Sequence, residues 1–243
     1  MTSSRHGGPN AGESVIAAFL LADSRLPSGA YSHSAGLEPA VIAGLQVDGV
    51  YPYLISRLQT VGRMETVAAV LAHRRARELG TVTGEHDGGA PGFAALEAAL
   101  DARTPSAAQR EASRRLGRGM LRLAATLKPG DPAVAALKRE APRPHRPVAL
   151  GVAAHALGVG EAALARLCCY DDAQSVVAAA LKLLPIDPMS ATAWILDAEP
   201  QINAVAGDAL HANGLDDLPA LSAPLMEHWA EDHTERTRRL FVA

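Results

Sequence analysis

The chain has 243 residues, of which 48% are hydrophobic, and its formal net charge at pH 7 is −3. This length and apolar content suffice for a buried core without disulfides or structural metals. The slightly negative charge argues against a dedicated nucleic-acid-binding protein, which needs a concentrated positive surface. Aromatic residues make up only 4% of the chain, and alanine and leucine dominate it, so the composition favours helix over sheet.

The N-terminal residues and the cysteines indicate a cytoplasmic protein. Residues 1–12 are small, polar and rich in glycine, so we expect a disordered leader there. They lack the apolar core of a secretion signal, and no apolar run in the chain reaches the roughly 18 residues that span a bilayer. The neighbouring Cys168 and Cys169 lie in an apolar run, and they fit neither a disulfide framework nor a spaced zinc or redox pair.

In the first half of the chain, helical patterns alternate with loops. Glu13 and Ser14 open the first helix, and a Gly-rich surface loop follows at 80–92. Apolar residues at three- and four-residue spacing then predict a helix over 105–127. Its start is predicted at Thr104 and Pro105, as an N-cap followed by proline at the first helical position.

The second half of the chain has the same character. Asp131-Pro132 and Asp187-Pro188 are typical helix starts, and three prolines within 141–147 forbid a continuous helix. The segment 161–184 is apolar on nearly every face, as expected for a helix in the middle of a bundle. Strand-type alternation and fixed-length repeats are absent from the sequence. We therefore predict an all-α, single-domain helical bundle over 13–235, followed by a tail at 236–243.

Special residues concentrate between Leu21 and Glu38. Pro27 fixes a backbone dihedral, whereas Gly29 and Gly36 permit conformations closed to other residues. Such a density predicts a rigid elbow that is buried or lies at an interface. An enzyme centre is the alternative, because Asp23, His33 and Ser34 are the residue types of an acid, a base and a nucleophile.

The pattern D-S-x-L-P-x-G-A-Y-x-H-S-x-G-L-E in this segment closely resembles the N-terminal signature of the UreF family of urease accessory proteins. A second match, over 110–123, resembles a Ser-then-Gly helix of the family, and a weaker one begins at 143. After Ile186 the family usually continues with glycine and glutamine, whereas this chain has Asp187 to Thr192. The resemblance implies structural or interface roles for Asp23, Pro27, Gly29, Tyr31, His33, Ser34, Gly36, Glu38, Ser113 and Gly117.

The resemblance also implies a function. It predicts a scaffold or chaperone for metallocentre assembly, without catalytic residues or cofactor, that forms a homodimer in the cytoplasm. The implied partners are a UreD/UreH-type accessory protein, a UreG-type GTPase and the urease apoprotein, into which nickel is inserted with GTP. In this family the C-terminal tail takes part in docking the other accessory proteins.

Two groups of residues are candidates for partner binding. Arginines four residues apart on the helix at 105–127 predict one exposed basic stripe, formed by Arg110, Arg114, Arg118 and Arg122. The tail ends in a basic run and an apolar pair, Arg238, Arg239, Leu240 and Phe241, which we expect to order as an anchor on binding. A solvated helix face and a frayed terminus are the alternatives.

Several other motifs resemble functional sites. Gly158-Val159-Gly160 matches part of a dinucleotide fingerprint, but the segment 148–157 before it is helical, so Gly158 is interpreted as a C-cap. A P-loop sequence is absent, so the chain is not itself a P-loop GTPase. No two histidines stand three or four residues apart, and we expect no tight metal site. Glu85-His86-Asp87 is a weak loop alternative.

Three rival functions remain open from the sequence. The first is a helical hydrolase that uses Asp23, His33 and Ser34. The second is a modulator of a GTPase cycle, in which Arg25 or the stripe from Arg114 to Arg122 stabilises phosphoryl-transfer charge in trans. The third is a helical regulator that binds nucleic acid. For the arginine stripe, RNA binding is disfavoured because no stacking aromatics accompany the arginines.

Overall fold

The computed structural model describes residues 13–23, 25–26, 33–80, 89–234 and 240–241. Within these ranges the chain forms helices and no strands, which confirms the all-α class. The predicted leader at 1–12, most of the Gly-rich loop (81–88, with Glu85-His86-Asp87) and tail residues 236–239 and 242–243 lie outside the described residues. The helices are α1 (Val15–Ala22), α2 (Leu37–Ile42), α3 (Val47–Arg57), α4 (Arg63–Gly80), α5 (Phe93–Arg103), α6 (Ala107–Leu127), α7 (Pro132–Glu140), α8 (Arg146–Ala156), α9 (Glu161–Leu183), α10 (Pro188–Asp197), α11 (Glu199–Ala209) and α12 (Pro224–Thr234).

Side-chain caps set the start of several helices. Ser14 accepts a hydrogen bond from the Ala17 N–H at 3.1 Å, and Asp131 accepts from two N–H groups of the first turn of α7. Asp187 caps α10 in the same manner. These three predicted starts are confirmed, since each side chain satisfies N–H groups that have no partner inside the helix.

The predicted start of α6 at Thr104 and Pro105 is wrong. The helix begins at Ala107, because Ser106 accepts from the N–H of Gln109 at 3.1 Å. The hydroxyl of Ser106 also donates to Glu231 of α12 at 2.5 Å. A tertiary contact that the local sequence does not contain therefore favours Ser106 over Thr104 as the capping residue.

The long helix α9 runs through the centre of the molecule. It packs against α1, α2, α3, α4, α10 and α11, and most of its residues are buried, as predicted for 161–184. Beside α9, helices α4 and α8 pack so closely that a Cβ on Gly151 would overlap the carbonyl oxygen of Ala69. Among the described helices, none is both long and apolar enough to cross a membrane.

The local structure of α8 and α9 shows what Gly158 and the two cysteines do. Gly158 has a φ of +78° and follows the end of α8, which is the position of a C-terminal glycine cap. A helix rather than a strand precedes it, so the dinucleotide fingerprint lacks its structural context. Cys168 and Cys169 are buried in the core, and burial raises the pKa of the Cys169 thiol to about 11 and that of Cys168 as well. Both thiols pack as apolar side chains.

Candidate functional site

The first signature residue, Asp23, closes the turn after α1. Its carboxylate accepts hydrogen bonds from Arg25 Nε at 2.9 Å and Nη2 at 2.7 Å, and from the Arg25 N–H at 2.9 Å. These hydrogen bonds lower the pKa of Asp23 to about 2. Arg25 is itself engaged in this pair, which is at the surface. The next signature residues, Pro27, Gly29 and Tyr31, lie outside the described residues.

The end of the signature builds the turn into α2. Gly36 has a φ of +77°, and a Cβ there would stand 2.8 Å from the Tyr53 hydroxyl. That hydroxyl donates to the carbonyl of Ala35 at 2.8 Å. Glycine is required at this position because the backbone is left-handed and the tyrosine leaves no space. Ser34 is fully buried, so this turn does not present its hydroxyl to a substrate, and His33 lies beside it at the rim of a crevice.

Glu38 joins the signature to the C-terminus. Its carboxylate is buried and accepts from the N–H groups of Leu240 at 2.6 Å and Phe241 at 3.0 Å. His233 of α12 places Nε2 3.3 Å from the same carboxylate. One carboxylate therefore holds two elements from the far end of the chain. Sequence reasoning selected Glu38 and the tail separately and did not connect them.

The tail residues differ in their exposure. The Phe241 ring is 4% exposed and packs in the core around α2, α3 and α9, with Lys182 Nζ 5.0 Å from the ring centroid. Phe241 is thus an anchor within its own chain, which corrects the expectation that a partner covers it. Leu240 is 63% exposed and remains a candidate contact, whereas Arg238 and Arg239 lie outside the described residues.

Ser113 and Gly117 hold the Pro-rich turn that precedes α8. The Ser113 hydroxyl accepts from the N–H of Arg146 at 3.1 Å. A Cβ on Gly117 would overlap the carbonyl oxygen of Pro144. The turn therefore lies directly on the backbone of α6, and both residues have structural roles that a Ser-then-Gly spacing of one helical turn makes possible.

Two carboxylates of α5 also hold the Pro-rich turn that precedes α8. The sequence analysis did not identify either of them. Glu97 is buried and accepts from the His145 N–H with both oxygens, at 2.8 and 3.1 Å. Asp101 lies 2.9 Å from Nε2 of the same histidine. Burial raises the pKa of Glu97 to about 7 from an ordinary value of 4.5. The start of α8 is thus held by a carboxylate that titrates near neutral pH.

A pH-dependent stability difference should follow from Glu97. Between pH 4.5 and 7 the folded protein binds more protons at Glu97 than the unfolded chain does, so the stability that Glu97 contributes falls as pH rises. The Glu97→Gln variant does not titrate there. The free energy of unfolding of the wild type, minus that of Glu97→Gln, should fall by about 2–3 kcal/mol from pH 4.5 to 8 in urea titrations. A difference that does not change with pH would contradict this assignment, and Glu199→Gln, at an exposed position of α11, is the control.

The four arginines of the predicted stripe have two different environments. Arg110 donates to the carbonyls of Thr104 and Pro105 at 2.6 and 2.8 Å, and Arg114 binds Asp101 at 2.6 Å. Arg118 and Arg122 are exposed. Each four-residue step advances about 40° beyond a full turn of 3.6 residues, so the set drifts around the helix and its first two members turn inward.

A crevice lies between α12 and α6 on one side and α4, α8 and α9 on the other. It has a volume of about 170 Å³ and extends from His33 and Gly36 to Ser113 and His145.

Four buried or nearly buried charged side chains line this crevice, Arg57, Glu65, Arg146 and Asp172, and Asp171 joins their network through Arg146. Arg57 Nε and Nη2 both lie 2.8 Å from Asp172 Oδ1. Arg146 pairs with Asp171 and lies 3.7 Å from Glu65. The sequence analysis did not identify this network, because its members come from four helices.

The donor set does not form a metal centre. In the described part of the chain, no group of three or more histidine, cysteine, aspartate or glutamate side chains could hold a metal ion. Asp172 in the crevice and the neighbouring Asp171 are instead paired with arginines. These ion pairs join α3 and α8 to α9 beside the crevice.

Comparison with known proteins places this geometry in a family. A family model described as UreF matches residues 47–199. The urease accessory protein UreF of Mycobacterium sp. strain JLS is 36% identical over 228 residues, which cover 93% of this chain and 97% of the relative. The chain belongs to the UreF family. UreF proteins of Mycolicibacterium vanbaalenii and Mycobacterium tuberculosis H37Rv are 35% and 34% identical, over 95% of this chain and 99% of each relative. The resemblance noted in the sequence is confirmed.

Proposed function

We propose that this protein is a urease accessory protein that supports maturation of the nickel enzyme as a scaffold. The observation that carries the proposal is its similarity, over nearly the whole chain, to relatives named urease accessory protein UreF. In the proposed role it binds a UreD/UreH-type protein and a UreG-type GTPase, so that nickel is inserted into the urease apoprotein. Homodimer formation and a cytoplasmic location belong to the same proposal.

The contacts and burial of the signature residues support a scaffold rather than an enzyme. Asp23 is paired with Arg25, Ser34 is fully buried, and Glu38 binds backbone N–H groups of the tail. A catalytic triad needs its nucleophile and base within hydrogen-bonding reach of each other and of a substrate. Side chains that are engaged in turns and core contacts favour a rigid protein that acts through its surface.

Partner capture tests this proposal. The tagged protein is co-expressed with the UreD/UreH-type and UreG-type proteins of the same organism, and the captured material is sized. We expect a stable complex that is lost when residues 238–243 are deleted. Leu240→Ser should weaken capture about tenfold without lowering the melting temperature, because the side chain is 63% exposed and a lost apolar contact of this size is worth about 1.4 kcal/mol.

The matched control for this test is Leu225→Ser on α12, which is similarly exposed at 64%. It should leave capture unchanged. The absence of a complex in every combination of proteins would contradict the scaffold function.

A further inference from the structure

His73, on α4, is buried with one of its two ring nitrogens unpaired. The residue is 5% exposed, and its Nε2 atom lies 2.8 Å from the carbonyl oxygen of Val159. A carbonyl oxygen can only accept a hydrogen bond, so Nε2 carries the hydrogen and the neutral ring has its lone pair at Nδ1. Nδ1 is buried and has no hydrogen-bond partner among the described residues. The ring can therefore take up a proton at an atom that the fold leaves unpaired.

The charged and titratable groups beside His73 come from three helices, and they are Arg74 and Arg77 on α4 itself, His155 on α8 and Glu161 on α9. Glu161 Oε1 lies 4.0 Å from Nδ1, which is beyond hydrogen-bonding distance. The Glu161 carboxylate already accepts from Arg77 Nη1 at 2.5 Å and from Arg74 Nε at 2.9 Å. The His155 ring makes a T-shaped contact with the His73 ring, with 5.3 Å between the centroids, and Asp131 of α7 acts in turn on His155. A proton on His73 therefore meets a carboxylate that two arginines already bind.

The pKa of His73 gives the direction of the effect of acid. Burial lowers this pKa below its ordinary value of 6.5, although the hydrogen bond to Val159 and the charge of Glu161 act the other way. In the unfolded chain the histidine titrates near its ordinary value, so in mild acid the unfolded chain binds more protons than the folded protein does. The stability that neutral His73 contributes is present above that pH and is lost as the pH falls. Acid therefore weakens the contacts that depend on the neutral ring.

The turn that receives the histidine also seats the first helix. This turn, at 158–160, joins α8 to α9, and the N–H of Ser14 donates to its Gly158 carbonyl at 2.7 Å. A Cβ on Gly160 would overlap the carboxylate of Glu13, so the residue before the helix cap lies directly against the turn. The start of α1 and the His73 ring are thus bound to neighbouring carbonyls of one short turn.

Helix α1 has few other contacts that fix it. It is 8 residues long, and only Ala17 and Leu21 are buried. A helix of this length is not stable in water by itself, so its order depends on the surface beneath it and on the turn at its start. Its outer face carries Ile16 and Phe19, which are 76% and 67% exposed. A change at the turn therefore alters the presentation of an apolar surface.

We propose that the turn at 158–160 is a proton-operated seat for α1, which releases the start of the helix when His73 takes up a proton from solvent. The protonated ring carries an N–H at both nitrogens, and the new Nδ1–H is drawn towards Glu161 Oε1 across the 4.0 Å gap. This movement takes Nε2 away from the Val159 carbonyl, and the adjoining Gly158 carbonyl moves with it, away from the Ser14 N–H. The switch goes beyond the proposed function and requires no partner protein.

Hydrogen exchange on the isolated full-length protein tests the seat. Exchange is measured at pH 7.5 and at pH 5, and the rates are corrected for their intrinsic pH dependence to give protection factors. We expect the protection factor of residues 14–22 to fall about tenfold or more in acid. Residues 188–197 of α10, which follows the far end of α9, should change less than about twofold. The His73 ring, followed by NMR, should titrate with the same midpoint as the loss of protection in α1.

Two variants connect the change to His73. His73→Gln keeps an N–H donor for the Val159 carbonyl and cannot take up a proton in this range, so the fall in protection of α1 should be absent. The matched control is His228→Gln on α12, where the histidine side chain is 67% exposed. It should show the same fall as the wild type.

The opposite results overturn the switch. Protection of α1 that does not change with pH, or a fall that persists in His73→Gln, would show that His73 does not control the seat. An equal loss of protection in α1 and α10 would show that acid unfolds the whole molecule instead. Should His73→Gln fail to fold, the wild type decides, since midpoints for the ring and for α1 that differ by more than about one pH unit contradict the coupling.

Discussion

Gly117→Ala should lower the free energy of unfolding by about 3 kcal/mol, as measured by urea denaturation. The added Cβ would overlap the carbonyl oxygen of Pro144, which belongs to the backbone of a proline-rich turn and cannot rotate away. The turn must therefore move off α6, and the hydrogen bond from the Arg146 N–H to Ser113 moves with it. The destabilisation should exceed the gain in helix propensity of about 1 kcal/mol that alanine brings.

Gly207 provides the matched control for this substitution. It lies within α11, and a Cβ there would meet no atom within 4 Å. Gly207→Ala should therefore stabilise the protein by about 0.5–1 kcal/mol. If both variants lose stability equally, the close approach of α6 and the turn is not the cause.

Asp172→Ala should cost about 3–5 kcal/mol, because it leaves Arg57 buried without its partner. Arg57 and Asp172 are 7% and 5% exposed, and they join α3 to α9 through a 2.8 Å contact. Thermal and urea unfolding of the purified variant measure the loss. Substitution of both residues, as Arg57→Met with Asp172→Leu, should recover most of it, since a well-packed apolar pair is often as stable as a buried ion pair. A double variant no more stable than Asp172→Ala would contradict this account.

The features that sequence could predict are those set by neighbouring residues. Helix caps depend on a few adjacent positions. The structure confirms the N-caps at Asp131 and Asp187 and the glycine cap at the end of α8, Gly158. The start of α6 could not be predicted, because the contact between Ser106 and Glu231 decides it.

The same distinction applies to the candidate site. The residue types at Glu38, Ser113 and Gly117 stood out in the sequence, but their partners did not. Phe241 follows Glu38 by 203 residues, and no local pattern encodes such a pairing. Glu97 and Arg57 resemble ordinary residues of exposed helix faces until the fold buries them. Helical periodicity also placed Arg110 and Arg114 on one face with Arg118, whereas local carbonyls and Asp101 draw the first two inward.

The bond between Glu38 and the tail has a consequence for biosynthesis. During translation the signature emerges from the ribosome long before Leu240, which is 202 residues further along the chain, and domains fold from the N-terminus as they are made. Glu38 therefore lacks these backbone partners until Leu240 and Phe241 have been synthesised. The face that carries the signature is therefore completed only after the segment at 240–241 has been made, so a chain truncated before it lacks these contacts.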